Sequence, residues 1–219
     1  LASPSNPTGT VLSGDSLAQI VDEVESRGGH VISDEIYHGL SYGKPTVTAL
    51  ACSKDAFVIN SFSKYFGMTG WRLGWAVVPE WASVAAERLA QNLFISAPTL
   101  SQYAALAAFS PTNLEELENR RQAFDQRRQV LWQGLSDLGF EMSAAPEGAF
   151  YVYADVSRFG SDSETLVGEI LDRAGVALTP GTDFGQNGAT RHVRFSYTAS
   201  VSRIEEALDR LRQFLASVD

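Results

Sequence analysis

Apolar residues in the first part of the chain recur at the spacing of a helix. They occupy positions 17, 20, 21 and 24, which lie on one face of a helix with about 3.6 residues per turn, and Gly28-Gly29 ends the run. The segment Ser-Gly-Asp-Ser at residues 13–16 supplies side chains that favour a helix N-terminus. The pattern predicts an amphipathic helix between these two signals.

Short, continuous apolar runs follow this helix. Residues 30–34 contain the β-branched pair Val31-Ile32, residues 57–61 and 73–78 are mainly apolar, and Pro79 stops the third run. Strands that are buried on both faces have this composition, and a helix between such strands is typical of α/β layers. We therefore predict an α/β fold in which helices cover a mostly parallel sheet.

From residue 80 onwards the chain predicts helices and then a smaller mixed unit. Residues 80–92 and 99–109 predict helices, and the charged residues 113–138 predict one long helix that ends at Gly139 and bridges two domains. Beyond it, strands are predicted at 150–156, 176–179 and 192–197, with helices at 164–174, capped by Ser163, and at 201–218. We expect a larger domain at residues 1–112, followed at 113–219 by the bridging helix and a small α+β domain.

The chain carries a formal net charge of -9 and one cysteine, Cys52. The charge argues against nucleic acid or an anionic membrane as partners, because both attract basic patches. A single cysteine excludes an intrachain disulfide, and His30, His38 and His192 lack the spacing of zinc ligands. No apolar run is long enough to span a bilayer, so we expect a soluble protein. The lone cysteine fits a reducing compartment, and we expect a cytoplasmic protein without a metal site.

The first residues read as a strand end followed by a turn. Residues 1–9 are Leu-Ala-Ser-Pro-Ser-Asn-Pro-Thr-Gly, with no initiator Met and no signal peptide. Domains rarely begin on such a turn without a strand that leads into it. We therefore expect this sequence to be the carboxy-terminal part of a longer protein.

Polar side chains follow the predicted strands at the points where ligands bind in open α/β sheets. Asp34 ends one strand and Tyr37 follows it, Ser61, Ser63 and Lys64 follow the next, and Arg72 comes shortly afterwards. We expect these groups to converge on one crevice. An acid, a phenol, hydroxyls, a lysine and an arginine together suit an anionic aromatic aldehyde.

Five motifs in this order resemble those of class I/II aminotransferases, which are fold-type I enzymes that use pyridoxal 5'-phosphate. They are Ser-Asn-Pro-Thr-Gly at 5–9, Asp-Glu-Ile-Tyr at 34–37, Ser-Phe-Ser-Lys at 61–64, Gly-Trp-Arg-Leu-Gly at 70–74 and Val-Arg-Phe-Ser at 193–196. The resemblance covers essentially the whole chain. It implies the large cofactor-binding domain for residues 1–112, amino acid and 2-oxo acid substrates, and a homodimer for the intact protein.

The resemblance also implies roles for single residues. Lys64 would form an imine with the cofactor aldehyde and, once freed by the substrate, move a proton. Asp34 would pair with the ring nitrogen and keep it protonated. Tyr37 would hydrogen-bond the phenolic oxygen of the ring.

The remaining roles concern the phosphate and the substrate. Ser61 and Arg72 would hold the cofactor phosphate, with Ser63 counted among the cofactor-binding residues. Asn6 would contact both the phenolic oxygen and the substrate. Arg194 would bind the α-carboxylate of the substrate through a forked contact and so orient the bond to be broken.

Each of these residues also has an ordinary structural interpretation. Lys64 could be a solvated surface residue, Asp34 a helix cap, Tyr37 a cover for the core edge, Arg72 a stacking partner of its neighbouring tryptophans, and Arg194 a residue on a surface strand edge. It is the order of the motifs that favours the functional reading over these alternatives.

The sequence leaves the substrate and the exact reaction open. Some dicarboxylate-specific members place an arginine just before the segment that resembles residues 92–98, where this chain has Gln91. Lyases of the same fold and the aminotransferase-like sensing domain of a transcriptional regulator are the alternative functions. The sequence also leaves open whether the isolated chain is inactive and whether it pairs with a second copy through an exposed sheet edge.

Overall fold

The computed structural model describes residues 1–160 and 162–217. The chain divides into two compact units, which are described separately. Unit 1 comprises residues 1–5 and 11–121, and unit 2 comprises residues 6–10 and 122–219. The sequence did not suggest that residues 6–10 group with the carboxy-terminal residues.

The sheet of unit 1 consists of β1 (Ile32–Asp34), β2 (Phe57–Ser61) and β3 (Gly74–Val77), in that order. β1 and β2 are parallel, whereas β2 and β3 are antiparallel. The prediction of a mostly parallel sheet is therefore wrong for β3. Only residues 62–73 connect β2 to β3, and so short a segment without an α-helix does not form the usual crossover between parallel strands.

The three helices that lie wholly in unit 1 confirm the predicted helical segments. They are α1 (Gly14–Ser26), α2 (Ser83–Leu93) and α3 (Thr99–Ala108). Ser13 caps α1 by accepting a hydrogen bond from the Ser16 amide, and the buried side chains of Leu17 and Val21 pack in a core with Val58 of β2. A short 3₁₀ helix, Ala49–Ala51, adds Ala49 to this core.

The remainder of unit 1 exposes much of its apolar surface. Every residue of β3 is exposed, and α2 has no buried residue. In α3 the buried positions are Ser101, Ala105 and Ala108, whereas Leu100 and Leu106 are 77% and 72% exposed. Helices therefore do not cover β3 in the described residues, and apolar composition alone was a poor guide to burial here.

α4 (Pro111–Asp137) is one continuous helix, as the long stretch without proline or glycine predicted. The division between the two units falls within it, between Arg121 and Gln122. In unit 1, Arg121 donates hydrogen bonds to both carboxylate oxygens of Glu118 and to the carbonyl oxygen of Ser41, which joins the part of α4 in this unit to the loop after β1.

Unit 2 contains an antiparallel sheet in which β6 (His192–Ser196) lies between β4 (Tyr151–Asp155) and β5 (Thr179–Pro180). Two helices, α5 (Ser163–Ala174) and α6 (Val201–Leu215), complete the unit. Residues 6–10 join it because the amides of Glu147 and Gly148 both donate to the carbonyl oxygen of Gly9.

Several details of unit 2 differ from the prediction. Asp162, not Ser163, caps α5, because its carboxylate accepts from the Glu164 and Thr165 amides. β5 pairs only at residues 179–180, since Pro180 has no N–H to extend the ladder. The predicted end of the last helix at residue 218 lies outside the described residues.

Within residues 1–160 and 162–217, no helix combines the length and hydropathy needed to cross a membrane. In the same part of the chain, no group of three or more His, Cys, Asp and Glu side chains is arranged to hold a metal ion.

Candidate functional site

Strand ends bring the candidate residues of unit 1 to a single edge of its sheet. Asp34 is the last residue of β1 and Ser61 is the last residue of the parallel strand β2. Because β3 is antiparallel to β2, its first residue, Gly74, pairs with Ser61 at this same edge. Arg72 comes just before β3. The antiparallel direction of β3, which the sequence did not predict, is therefore what places the residues just before this strand at the carboxyl ends of β1 and β2.

The loop that carries Lys64 is anchored by aromatic packing. The ring of Phe62 is buried and lies 4.9 Å from the ring of Phe66, 5.7 Å from that of Phe109 and 5.1 Å from that of Trp75, measured between centroids. Ala105 and Ala108 of α3 pack on the same group. The half-buried Lys64 thus extends from a loop whose base is fixed.

Lys64 lies beside Tyr37, which follows β1. The Nζ atom of Lys64 is 5.6 Å from the centroid of the Tyr37 ring, and Tyr37 is only 4% exposed. A second contact joins the same loops, because the ring of Tyr65 packs so closely on Gly39 that a Cβ atom there would lie 2.6 Å from it. Burial raises the pKa of Tyr65, and the Glu118 carboxylate adds to this effect while Arg121 opposes it.

Hydrogen bonds link Ser61, Ser63 and Arg72 through the loop at residues 62–73. The Ser61 hydroxyl donates to the Leu73 carbonyl oxygen (3.3 Å) and accepts from the Ser63 amide (3.0 Å). The Thr69 hydroxyl donates to the Ser63 carbonyl oxygen (2.6 Å), and the Arg72 guanidinium donates to the Thr69 carbonyl oxygen (3.1 Å). Serine and arginine side chains suited to an anion therefore share one network.

Arg72 is also conformationally unusual. Its φ of 50° is left-handed, which costs a non-glycine residue about 1–2 kcal/mol. Such strain concentrates at functional sites, where the surrounding structure stabilises it. Here the contact between its guanidinium and the Thr69 carbonyl oxygen contributes to that stabilisation.

Asp34 accepts a hydrogen bond from the Ile36 amide at 3.1 Å, so its carboxylate closes the turn after β1. The next residue, Glu35, is buried at 3% exposure, and its carboxylate accepts from Ser33, Thr48 and the Ala49 amide. The sequence reasoning missed Glu35. A charged residue directly after a buried strand, within the Asp-Glu-Ile-Tyr motif, was the available signal.

In unit 2, Arg194 is held on several sides. Its Nη1 donates to Asn6 Oδ1 at 2.8 Å and its Nη2 donates to Thr179 Oγ1 at 3.1 Å. The guanidinium carbon lies 4.2 Å from the ring centroid of Tyr151 and 4.7 Å from that of Phe184. The surface-edge alternative for Arg194 is wrong, because β6 is the central strand of its sheet.

The Nε atom of Arg194 is buried and has no hydrogen-bond partner in the described part of the chain. Buried donors of this kind are rare in folded proteins, and a carboxylate is the group that arginine binds best. The sequence reasoning missed Tyr151, Thr179 and Phe184. Of these, Thr179 was recognisable in principle, because it lies directly opposite Arg194 in the β5–β6 ladder.

Comparison with known proteins identifies the family. The sequence model described as aminotransferase class I and II matches residues 1–211. The chain belongs to the class I and II aminotransferase family. The resemblance drawn from the motifs is confirmed.

Curated relatives in this family carry transaminase names. A valine–pyruvate aminotransferase of Mycobacterium tuberculosis is 44% identical over 219 residues, which are 99% of this chain and 56% of that protein. A (5-formylfuran-3-yl)methyl phosphate transaminase of Methanocaldococcus jannaschii is 38% identical and is likewise covered over 56% of its length, with 97% of this chain matched. The chain thus spans little more than half the length of these relatives.

Solved structures of the family share the fold. An aminotransferase from Mycobacterium tuberculosis superposes with a TM-score of 0.95 at 43% identity, over 99% of this chain and 57% of that chain. The α/β arrangement described above is therefore that of fold-type I aminotransferases.

Proposed function

We propose that this chain contributes the lysine-bearing and substrate-binding part of an aminotransferase that uses pyridoxal 5'-phosphate to move an amino group between an amino acid and a 2-oxo acid. The observation that carries the proposal is the sheet edge where Asp34 ends β1 and where the loop with Lys64 and Arg72 joins β2 to β3, within a chain matched by the family over residues 1–211. The transaminase names of the relatives favour this reaction over the lyase and sensing alternatives.

The donor set at this edge fits the cofactor. When bound, pyridoxal phosphate supplies an electron sink that stabilises negative charge on the substrate α-carbon. Lys64 would supply the amine that holds the cofactor aldehyde and that later moves a proton. The Asp34 carboxylate would balance a proton on the ring nitrogen, and the Tyr37 hydroxyl would donate to the phenolic oxygen. Ser61, Ser63 and Arg72 offer donors and positive charge to the phosphate.

Arg194 is proposed to bind the α-carboxylate of both substrates, with Asn6 beside it. The aromatic faces of Tyr151 and Phe184 hold the guanidinium plane in one orientation, and its buried Nε keeps a donor available. A guanidinium fixed in this way would orient the bond to be broken. Because the chain is 44% identical in sequence to a valine–pyruvate aminotransferase, valine and pyruvate are the first substrate pair to test.

The wider organisation of the protein is also a proposal. We assign residues 1–112 to the large cofactor-binding domain and residues 113–219 to the bridging helix and the small domain, in a cytoplasmic homodimer without nucleic-acid or membrane partners. Sedimentation of the intact protein across a range of concentrations tests the dimer, and a species with the mass of one subunit throughout would contradict it.

The cofactor assignment is tested by adding pyridoxal phosphate and recording the visible absorbance of the protein. We expect a band that Lys64→Ala abolishes, and borohydride reduction should add the cofactor mass to the peptide that contains Lys64. Lys54→Ala, a change to an exposed lysine, is the matched control and should keep the band. A band of equal strength in Lys64→Ala would overturn the assignment. Formation of alanine from pyruvate with valine as the amino donor then tests the reaction.

A further inference from the structure

The buried carboxylate of Glu35 lies between two residues that the proposed function assigns to the cofactor, Asp34 and Tyr37. The Glu35 amide donates to the Ile59 carbonyl oxygen at 2.8 Å, which extends the pairing of β1 with β2 by one residue. Successive side chains of an extended strand point to opposite faces, so Glu35 turns away from Asp34. Asp34 is half-buried, whereas Glu35 is buried at 3% exposure.

One carboxylate oxygen of Glu35 accepts three hydrogen bonds. Oε1 accepts from Ser33 Oγ at 3.1 Å, from Thr48 Oγ1 at 3.1 Å and from the Ala49 amide at 2.8 Å. Thr48 also caps the 3₁₀ helix Ala49–Ala51. The carboxylate therefore fastens the end of β1 to a segment that follows it by more than ten residues, and it does so inside the core, where an unbonded carboxylate would be very costly.

The second oxygen reaches the turn that carries Tyr37. Nδ1 of His38 lies 3.3 Å from Glu35 Oε2. Burial lowers the pKa of His38 and outweighs the opposite effect of the Glu35 charge, so a neutral imidazole with its proton on Nδ1 can donate to that oxygen. Glu35 thus holds both ends of the segment from Ser33 to His38.

We propose that Glu35 is a positioning residue that fixes the turn after β1, so that the Asp34 carboxylate and the Tyr37 hydroxyl are presented to the cofactor in a single arrangement. The Asp34 side chain depends on this turn directly, because it accepts from the Ile36 amide. The influence of Glu35 on the geometry of Asp34 and Tyr37 is inferred from the contacts described above. Its influence on cofactor binding rests on the proposed function.

The first experiment measures hydrogen exchange of the Ile36 amide without cofactor. Glu35→Leu removes the acceptor of three donors, so we expect exchange to accelerate by about tenfold or more, while Glu35→Gln keeps an acceptor oxygen and restores most of the protection. Val21→Ala, a fully buried change in the same core, controls for general destabilisation. Ile36 exchange that is no faster in Glu35→Leu than in Val21→Ala would overturn the proposal.

If Glu35→Leu fails to fold, a milder pair of variants at Thr48 still tests the proposal. Thr48→Val removes one donor to Glu35 at nearly constant shape, whereas Thr48→Ser retains the hydroxyl. Faster Ile36 exchange in Thr48→Val than in Thr48→Ser supports the proposal, and equal rates contradict it.

The second experiment measures the affinity for pyridoxal phosphate from the Lys64-dependent absorbance band. A misplaced Asp34 and Tyr37 should weaken binding by about 10- to 100-fold in Glu35→Leu, with recovery in Glu35→Gln and little change in Val21→Ala. A wild-type protein without the band contradicts the proposed function, and the exchange experiment then decides the role of Glu35 alone. Equal affinity of wild type and Glu35→Leu, despite faster exchange, would refute the link between Glu35 and the cofactor.

Discussion

At the scale of single residues, Arg194 depends on groups from several separate parts of the sequence. Its hydrogen bonds go to Asn6 and Thr179, and its flat faces meet Tyr151 and Phe184. A lysine in its place keeps the charge, but loses the planar shape and the fork of donors that these contacts use.

We therefore predict that Arg194→Lys lowers the free energy of unfolding by about 1–3 kcal/mol, since polar groups lose donors and two rings lose a stacking partner. Urea denaturation followed by circular dichroism measures the change. Arg203→Lys, at an arginine whose side chain is 71% exposed, is the control and should leave the unfolding midpoint unchanged. Equal losses of unfolding free energy in both variants would mean that the contacts around Arg194 do not stabilise the fold.

His38 gives a pH-dependent prediction. Burial lowers its pKa below the ordinary value of 6.5, so the unfolded chain takes up the proton before the folded protein does. The free energy of unfolding should fall as the pH drops below 6.5 and stop falling, for this group, below the folded-state pKa. Denaturation at a series of pH values measures this loss. His38→Asn should be less sensitive to pH in that window, and an identical profile for both proteins would contradict the assignment.

Sequence reasoning proposed candidate residues with reactive groups, but it did not find the residues that contact them in the structure. Lys64, Asp34 and Arg72 became candidates because they lie in motifs at or beside the ends of predicted strands. Glu35 and Phe184 were missed, because their importance arises from the partners that the fold brings to them, which for Glu35 include Thr48 and Ala49 and for Phe184 the guanidinium of Arg194. A buried carboxylate looks like any other acid until its donors are known.

At the scale of elements, helices were predicted well and the burial of their faces was not. α3 illustrates the difference, because its large apolar residues Leu100 and Leu106 face outwards while Ala105 is buried. Periodicity fixes which residues share a face, but the neighbour that a face meets is decided by tertiary packing. The direction of β3 was likewise set by the short connection from β2 rather than by its own composition.

The close approach of β2 and β3 makes a prediction about Gly74. A Cβ atom at this position would lie 2.6 Å from the Asn60 carbonyl oxygen, so Gly74→Ala must separate the strands where Ser61 pairs with Gly74. We expect a loss of about 1–3 kcal/mol in unfolding free energy, as for other overpacked sites. Gly70→Ala is the matched control, because nothing lies within 4 Å of its added Cβ. A stable Gly74→Ala protein would show that the strands can separate at little cost.

At the scale of the whole molecule, the exposed apolar side of α3 is expected to promote association. Leu100, Tyr103 and Leu106 are all more than two-thirds exposed, at 77%, 69% and 72%. Large apolar patches of this kind are uncommon on monomeric proteins.

Replacing Leu100 and Leu106 together with glutamine should reduce the sedimentation coefficient at high concentration, while the midpoint of unfolding stays near that of the wild type. Leu117→Gln is the control, because its side chain is buried at 2% exposure and its loss should destabilise the fold. A large drop in stability of the double variant would show that these side chains are packed against something in solution.

Because residues 6–10 belong to unit 2, the folding of this unit during synthesis depends on segments that are made far apart in time. Asn6 is synthesised 188 positions before its partner Arg194. Contacts this distant close slowly, and no nascent chain can form this one before β6 is made. Unit 1 should therefore resist protease on arrested chains that end before β6, while unit 2 remains cleavable until its last strand has emerged.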